Sequence, residues 1–155
     1  MADFRKFTWL LALIASILMI LSLFTPARIY NSTPYGEMLG WLGGGIMLEL
    51  DSGILHEDLY SQLLFGATIV SITLLLTISI NTKRGNEYKW DWLVYLILGI
   101  VIIILTIFFW LFEFDPAFET ISFSSIGIFI AGVISILAFA FDKFSTDRNK
   151  TTKVL

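Results

Sequence analysis

The chain has 155 residues, of which 57% are hydrophobic, and its mean hydropathy is +0.83, well above the norm for soluble globular domains. Its ten Lys and Arg and 13 Asp and Glu leave a formal net charge of −3, and we expect no nucleic-acid partner. The absence of cysteine excludes disulfides, iron–sulfur clusters and thiolate zinc sites.

Four apolar segments follow one another along the chain. They cover about residues 7–24, 62–80, 92–112 and 121–141, and none of them contains Lys, Arg, Asp, Glu or His. Each is close to the roughly 20 helical residues that cross a hydrocarbon core about 30 Å thick. The pattern predicts an all-α integral membrane protein, with residues 1–155 forming a single domain and four transmembrane helices packed in a bundle.

The charged residues divide the connections between these segments into two sides. Every Lys and Arg except Arg28 lies at the N-terminus, in the connection 81–91 or in the tail 142–155, whereas 25–61 and 113–120 are acidic. Short loops rich in Lys and Arg stay in the cytoplasm. We therefore expect a multi-pass protein of the cell membrane with both termini cytoplasmic, a long outer loop at 25–61 and a short outer turn at 113–120.

The outer loop 25–61 is longer than a usual connection, and such loops tend to be functional. In its segment Gly40-Trp41-Leu42-Gly43-Gly44-Gly45, the large aromatic ring of Trp41 lies among glycines. Residues 46–51 then alternate partly between apolar and other side chains. An alternation of period two is typical of a strand. We predict a small extracellular cap with strand character. Its candidate interaction residues are Trp41, Leu42, Ile46, Leu48 and Leu50.

The best candidate for a metal site or for acid–base chemistry is His56-Glu57-Asp58, with Glu49 and Asp51 nearby. It lacks a second histidine and the spacing of a zinc motif, so we interpret it as a solvated acidic surface. No Ser–His–Asp set or phosphate-binding loop is present, and the four spans hold no ionisable residue of the kind that ion-coupled transporters carry. The sequence therefore predicts no catalytic, cofactor-binding or metal-binding residues, no cofactor and no enzymatic activity.

Small residues recur every four positions in the fourth segment, at Gly127, Ala131 and Ser135. Helices in lipid associate where small residues let their backbones approach closely. We predict that these three are helix-packing residues, within one bundle or, alternatively, at a seam between two copies.

The layout resembles that of claudin-like and peripheral-myelin-protein-like tetraspan membrane proteins. The likeness covers most of the chain as topology, and at the level of motifs it has Gly40-Trp41-Leu42 where that family has Gly-Leu-Trp. The paired loop cysteines of the family are absent here. The resemblance implies a non-enzymatic role in lateral assembly or adhesion, with membrane lipids, other membrane proteins or further copies of the chain as partners.

Two other functions stay open at this point. Accessory subunits of larger membrane enzymes or respiratory complexes are also small, uncharged in their spans and without cofactor ligands. A protein that binds lipid or another apolar ligand beneath the Trp41 loop would fit the same sequence.

Overall fold

A computed structural model of the chain describes residues 7–33, 36–42, 59–86, 90–114, 116 and 119–152. Within them the chain forms four helices and three strands. In chain order these are α1 (Thr8–Phe24), β1 (Arg28–Thr33), β2 (Gly36–Gly40), α2 (Leu59–Lys83), α3 (Asp91–Phe112), β3 (Glu119–Ile121) and α4 (Phe123–Thr152).

The helices are the dominant structure, and α2, α3 and the apolar part of α4 are each long and apolar enough to cross a membrane. Helix α1 is also apolar but has 17 residues, which is at the lower limit of about 17 for a spanning helix. The fold is thus compatible with the all-α membrane bundle that the sequence predicts. Helix α4 continues to Thr152, beyond the expected end of its span at 141.

The four helices pack as a ring in chain order. Helix α1 packs against α2 and α4, and α3 packs against the same two neighbours. The end of α1, the start of α2, the end of α3 and the start of α4 meet the strands at one end of the bundle, which we call the sheet end.

The strands form an antiparallel sheet in the order β2-β1-β3. The central strand pairs Arg28 with Gly40 of β2 and with Ile121 of β3. Because β1 and β2 belong to the connection between α1 and α2, and β3 to the connection between α3 and α4, the sheet joins the two connections. These three strands were not predicted from the sequence, and the expected strand at 46–51 lies outside the described residues.

Helix α4 meets α1 and α3 through small residues that are buried inside the bundle. Ala131 and Ser135 are fully buried, and the Ser135 hydroxyl donates a 3.0 Å hydrogen bond to the Tyr95 carbonyl of α3. A Cβ on Gly127 would overlap the hydroxyl oxygen of Ser22 on α1. The structure thus places Gly127, Ala131 and Ser135 at contacts within one bundle.

Helices α3 and α4 approach each other closely at a pair of glycines, Gly99 and Gly132. A Cβ built on Gly99 would lie 2.9 Å from the Gly132 carbonyl oxygen and 2.7 Å from Cγ1 of Ile136. The first of these neighbours is backbone and has no rotamer to change. Glycine at 99 is therefore required by the spacing of the two helices.

We expect Gly99→Val to lower the free energy of unfolding by about 1–3 kcal/mol, because inserted methyl groups in a well-packed interior force backbone shifts. The matched control is Ile100→Val on the exposed side of the same helix, where 42% of the side-chain surface is accessible. Thermal unfolding in mild detergent measures both variants. Equal melting temperatures for Gly99→Val and the control would show that α3 and α4 are farther apart than described.

Candidate functional site at the sheet end of the bundle

Arg28, the first residue of β1, is buried at the sheet end, with 7% of its surface exposed. Its Nη1 donates a 2.7 Å hydrogen bond to the backbone carbonyl of Glu113, and its Nη2 lies 3.8 Å from the Glu113 carboxylate oxygen Oε2. The guanidinium carbon lies 5.1 Å from the centre of the Phe109 ring. Positive charge is favoured at a helix C-terminus, so Arg28 stabilises the end of α3 and joins it to the sheet.

Glu113 follows α3 and connects it to the start of α2. Its two carboxylate oxygens accept hydrogen bonds from the backbone N–H groups of Tyr60, at 2.5 Å, and Ser61, at 2.9 Å. The first N–H groups of any helix lack partners within the helix, and a negative charge there is favourable. Glu113 thus accepts the hydrogen bonds that an N-cap side chain usually accepts at the start of a helix, although it follows α3 and does not precede α2.

Arg28, Tyr60, Ser61, Phe109 and Glu113 together are called the Arg28–Glu113 junction below. Through this junction, one ion pair provides hydrogen-bond partners for backbone groups at the start of α2 and the end of α3. It also holds β1, the central strand of the sheet, against these two helices. Buried ion pairs are stable only when further hydrogen bonds complete them, and the junction supplies these bonds from backbone groups.

Aromatic rings strengthen the same contact between α2 and α3. The Tyr60 ring stacks on Phe112, with centres 5.4 Å apart and an interplanar angle of 21°, and meets Phe108 edge-on at 5.8 Å. Such pairs add to the energy of burial alone. The polar junction is therefore flanked by an apolar contact that holds the two helix ends at a fixed distance.

A second set of contacts joins α1 and α4 at the same end. The Ser122 hydroxyl donates to the Pro26 carbonyl, and the Ser122 N–H donates to the Ala27 carbonyl at 3.4 Å. Thr25 is extended, with φ −106° and ψ 148°, as a following proline favours. At the sheet end, α2 is thus bonded to α3 and α1 is bonded to α4. Strand β1 connects these two pairs of helices.

The structure describes two of the five candidate interaction residues. Leu42 is buried, with 7% of its surface exposed, and belongs to the hydrophobic core. Trp41, directly after β2, is half-buried. Ile46, Leu48 and Leu50 lie outside the described residues. The described part of the site therefore ends at Trp41 and Leu42.

No group of three or more His, Asp or Glu side chains that could hold a metal ion occurs in the part of the chain that the structure describes. His56-Glu57-Asp58, Glu49 and Asp51 lie outside that part. Glu113, which the sequence places in an acidic turn, has a side chain with 8% of its surface exposed.

Sequence reasoning missed the pairing of Arg28 with Glu113. The signal was present, since Arg28 is the lone cation of an acidic connection and Glu113 adjoins the end of a span. A charge beside an apolar segment is seldom buried unless it has a partner.

No protein-family model matches this chain, and no curated protein matches it. A function is therefore inferred from the contacts of the chain itself.

We expect Arg28→Met and Glu113→Gln each to lower the free energy of unfolding by about 3–5 kcal/mol, because each leaves the other group of a buried pair uncompensated. The double variant should lose less than the sum of the two single losses, since both charges are then gone. Unfolding followed by circular dichroism in detergent provides the full cycle. Strictly additive losses would mean that the two side chains do not stabilise each other.

Proposed function

We propose that the chain is a non-enzymatic protein of the cell membrane that acts by assembling with other membrane proteins or with itself. In this proposal it crosses the membrane four times, with both termini in the cytoplasm and the sheet end outside. The segregation of Lys and Arg to the connection 81–91 and the two termini supports that orientation.

The observation that carries the proposal is the fixed sheet at the end of the bundle. β1 pairs with both neighbouring strands, and the Arg28–Glu113 junction attaches it to α2 and α3. A surface that is already ordered loses little conformational entropy when it binds a partner. The described strands of the two connections therefore form one ordered surface, called the platform below, which supports a role like that implied by the claudin-like layout.

Trp41 is the described residue best placed to contact a partner from this platform. It follows β2 directly, it is half-buried rather than buried, and it precedes the glycines at 43–45. Tryptophan is enriched among the residues that dominate binding energy at protein interfaces. In the proposal, Trp41 anchors the partner, and Ile46, Leu48 and Leu50 extend the contact.

We expect Trp41→Ala to weaken association with the copurifying partner by at least about tenfold. Trp90→Ala is the matched control, since Trp90 is 60% exposed and lies before α3, at the opposite end of the bundle. The measurement is quantitative mass spectrometry of everything that copurifies under mild extraction, with thermal unfolding to check that both variants are folded.

The same measurement distinguishes the other two functions. A redox or transport complex that copurifies with the chain would assign it as an accessory subunit, and a lipid at fixed stoichiometry would assign it as a lipid-binding protein. A chain that purifies alone and stays monomeric in lipid nanodiscs would overturn the proposal.

A further inference from the structure

Two lysine side chains lie at the end of the bundle opposite the sheet end, which we call the basic end. Lys83 of α2 and Lys143 of α4 follow the apolar segments 62–80 and 121–141 within three residues. In a chain that spans a membrane, residues just beyond the apolar segments lie at the level of the lipid headgroups. Both ammonium groups therefore lie where a headgroup phosphate can reach them.

Each of these lysines is held over an aromatic ring of a neighbouring helix. The Nζ atom of Lys83 lies 5.3 Å from the centre of the Trp9 ring of α1, and that of Lys143 lies 4.7 Å from the centre of the Trp92 ring of α3. A cation is attracted to an aromatic face over about 6 Å. The ring covers one side of an ammonium group that has three donors, so an anion can approach from another side. We call these contacts the Lys83–Trp9 pair and the Lys143–Trp92 pair.

The fold exposes the cations of the basic end and buries its acids. Asp91 and Asp142 each have 7% of their surface exposed, whereas Lys83 and Arg84 are exposed and Lys143 is half-buried. The sequence does not reveal this difference, since Asp142 directly precedes Lys143. Among the side chains that the structure describes at this end, only the cations are therefore accessible to a charged ligand.

The rings beneath the lysines are themselves fixed in place. The Trp92 ring packs against the rings of Phe139, at 6.0 Å, and Trp90, at 6.5 Å between centres. The hydroxyl of Ser79 on α2 donates a 2.9 Å hydrogen bond to the Trp9 carbonyl. Tryptophan rings at the headgroup level present an apolar body to the lipid chains. This combination of a cation and an apolar ring favours a ligand that has both a negative headgroup and acyl chains.

We propose that the basic end binds the headgroups of anionic phospholipids, with one headgroup at each of the two pairs. The Lys83–Trp9 pair joins α1 and α2, and the Lys143–Trp92 pair joins α3 and α4, so each lipid contacts two helices. Arg84, exposed beside Lys83, has the planar fork of donors that suits a phosphate. Basic sites between membrane helices recognise anionic headgroups in this way.

This inference goes beyond the proposed function. It requires that the chain span a membrane, but it requires no protein partner. It also differs from the lipid-binding alternative, because a ligand beneath the Trp41 loop would lie at the sheet end of the bundle. A bound lipid that depends on Lys83 and Lys143 belongs to the basic end, and a bound lipid that does not depend on them belongs elsewhere.

Native mass spectrometry of the purified chain in detergent tests the proposal by titration with phosphatidylglycerol or with phosphatidylcholine of the same acyl chains. The first lipid has a net negative charge and the second has none. We expect phosphatidylglycerol to bind about fivefold more tightly for each cation that contacts its headgroup, since a basic residue near an anionic membrane surface contributes about 1 kcal/mol. Equal affinities for the two lipids would overturn the proposal.

Substitution of the cations locates the two sites. Lys83→Gln with Arg84→Gln removes the charges at one pair, and Lys143→Gln removes the charge at the other. We expect each variant to lose the preference for phosphatidylglycerol at one site and the combined variant to lose it at both. Lys83→Arg and Lys143→Arg are the matched controls, because arginine keeps the charge and the attraction to the ring. Melting temperatures in phosphatidylcholine check that all variants are folded, and an undiminished preference in the combined variant would show that the proposal is wrong.

Two further outcomes test the identity of the ligand. Inorganic phosphate that displaces phosphatidylglycerol at equal concentration would mean that the site takes phosphate alone, which contradicts a lipid site. An acidic protein that copurifies with the parent chain and is lost from the combined variant would also contradict it. Because the titration uses the chain without a partner, its failure leaves the proposed function standing. A negative result with Trp41→Ala likewise leaves this inference standing.

Discussion

Helix ends are the constraint on which this structure depends. A helix that ends near a membrane leaves N–H and C=O groups without partners, and apolar surroundings make each of them costly. The chain meets this cost at the sheet end with one ion pair. Glu113 accepts hydrogen bonds from two N–H groups at the start of α2, and Arg28 donates to the carbonyl of Glu113 directly after α3. Because Arg28 also begins β1, the same contact decides where the sheet lies.

Many hydroxyl side chains are buried inside the described part of the bundle. Fully buried hydroxyls such as those of Ser16, Thr68 and Thr106 donate to the carbonyl four residues earlier in their own helix. These hydroxyls need no partner on another helix. They therefore allow the helices to pack closely without fixing how one helix is oriented against the next. The hydroxyls of Ser79 and Ser135 instead cross between helices, to the carbonyls of Trp9 and Tyr95.

At the other end of the bundle, cations and rings hold the helices together. Lys83 of α2 lies over the Trp9 ring of α1, and Lys143 of α4 lies over the Trp92 ring of α3, with 5.3 Å and 4.7 Å to the ring centres. The sequence predicts that this end is basic. Contacts of this kind let the basic residues stabilise the bundle.

The sequence by itself determined that the chain is mostly helical and that its helices are apolar, because transfer into lipid depends on composition over about 20 residues. It also marked Gly127, Ala131 and Ser135 as packing positions from their spacing. Only the tertiary structure decided that Arg28 and Glu113 meet and that Gly99 faces Gly132. These pairs are distant in the chain, and which ones meet depends on how the helices are rotated about their axes. Strand β3 at 119–121 escaped prediction for the same reason, since it pairs with β1 about 90 residues away, and no local periodicity carries that information.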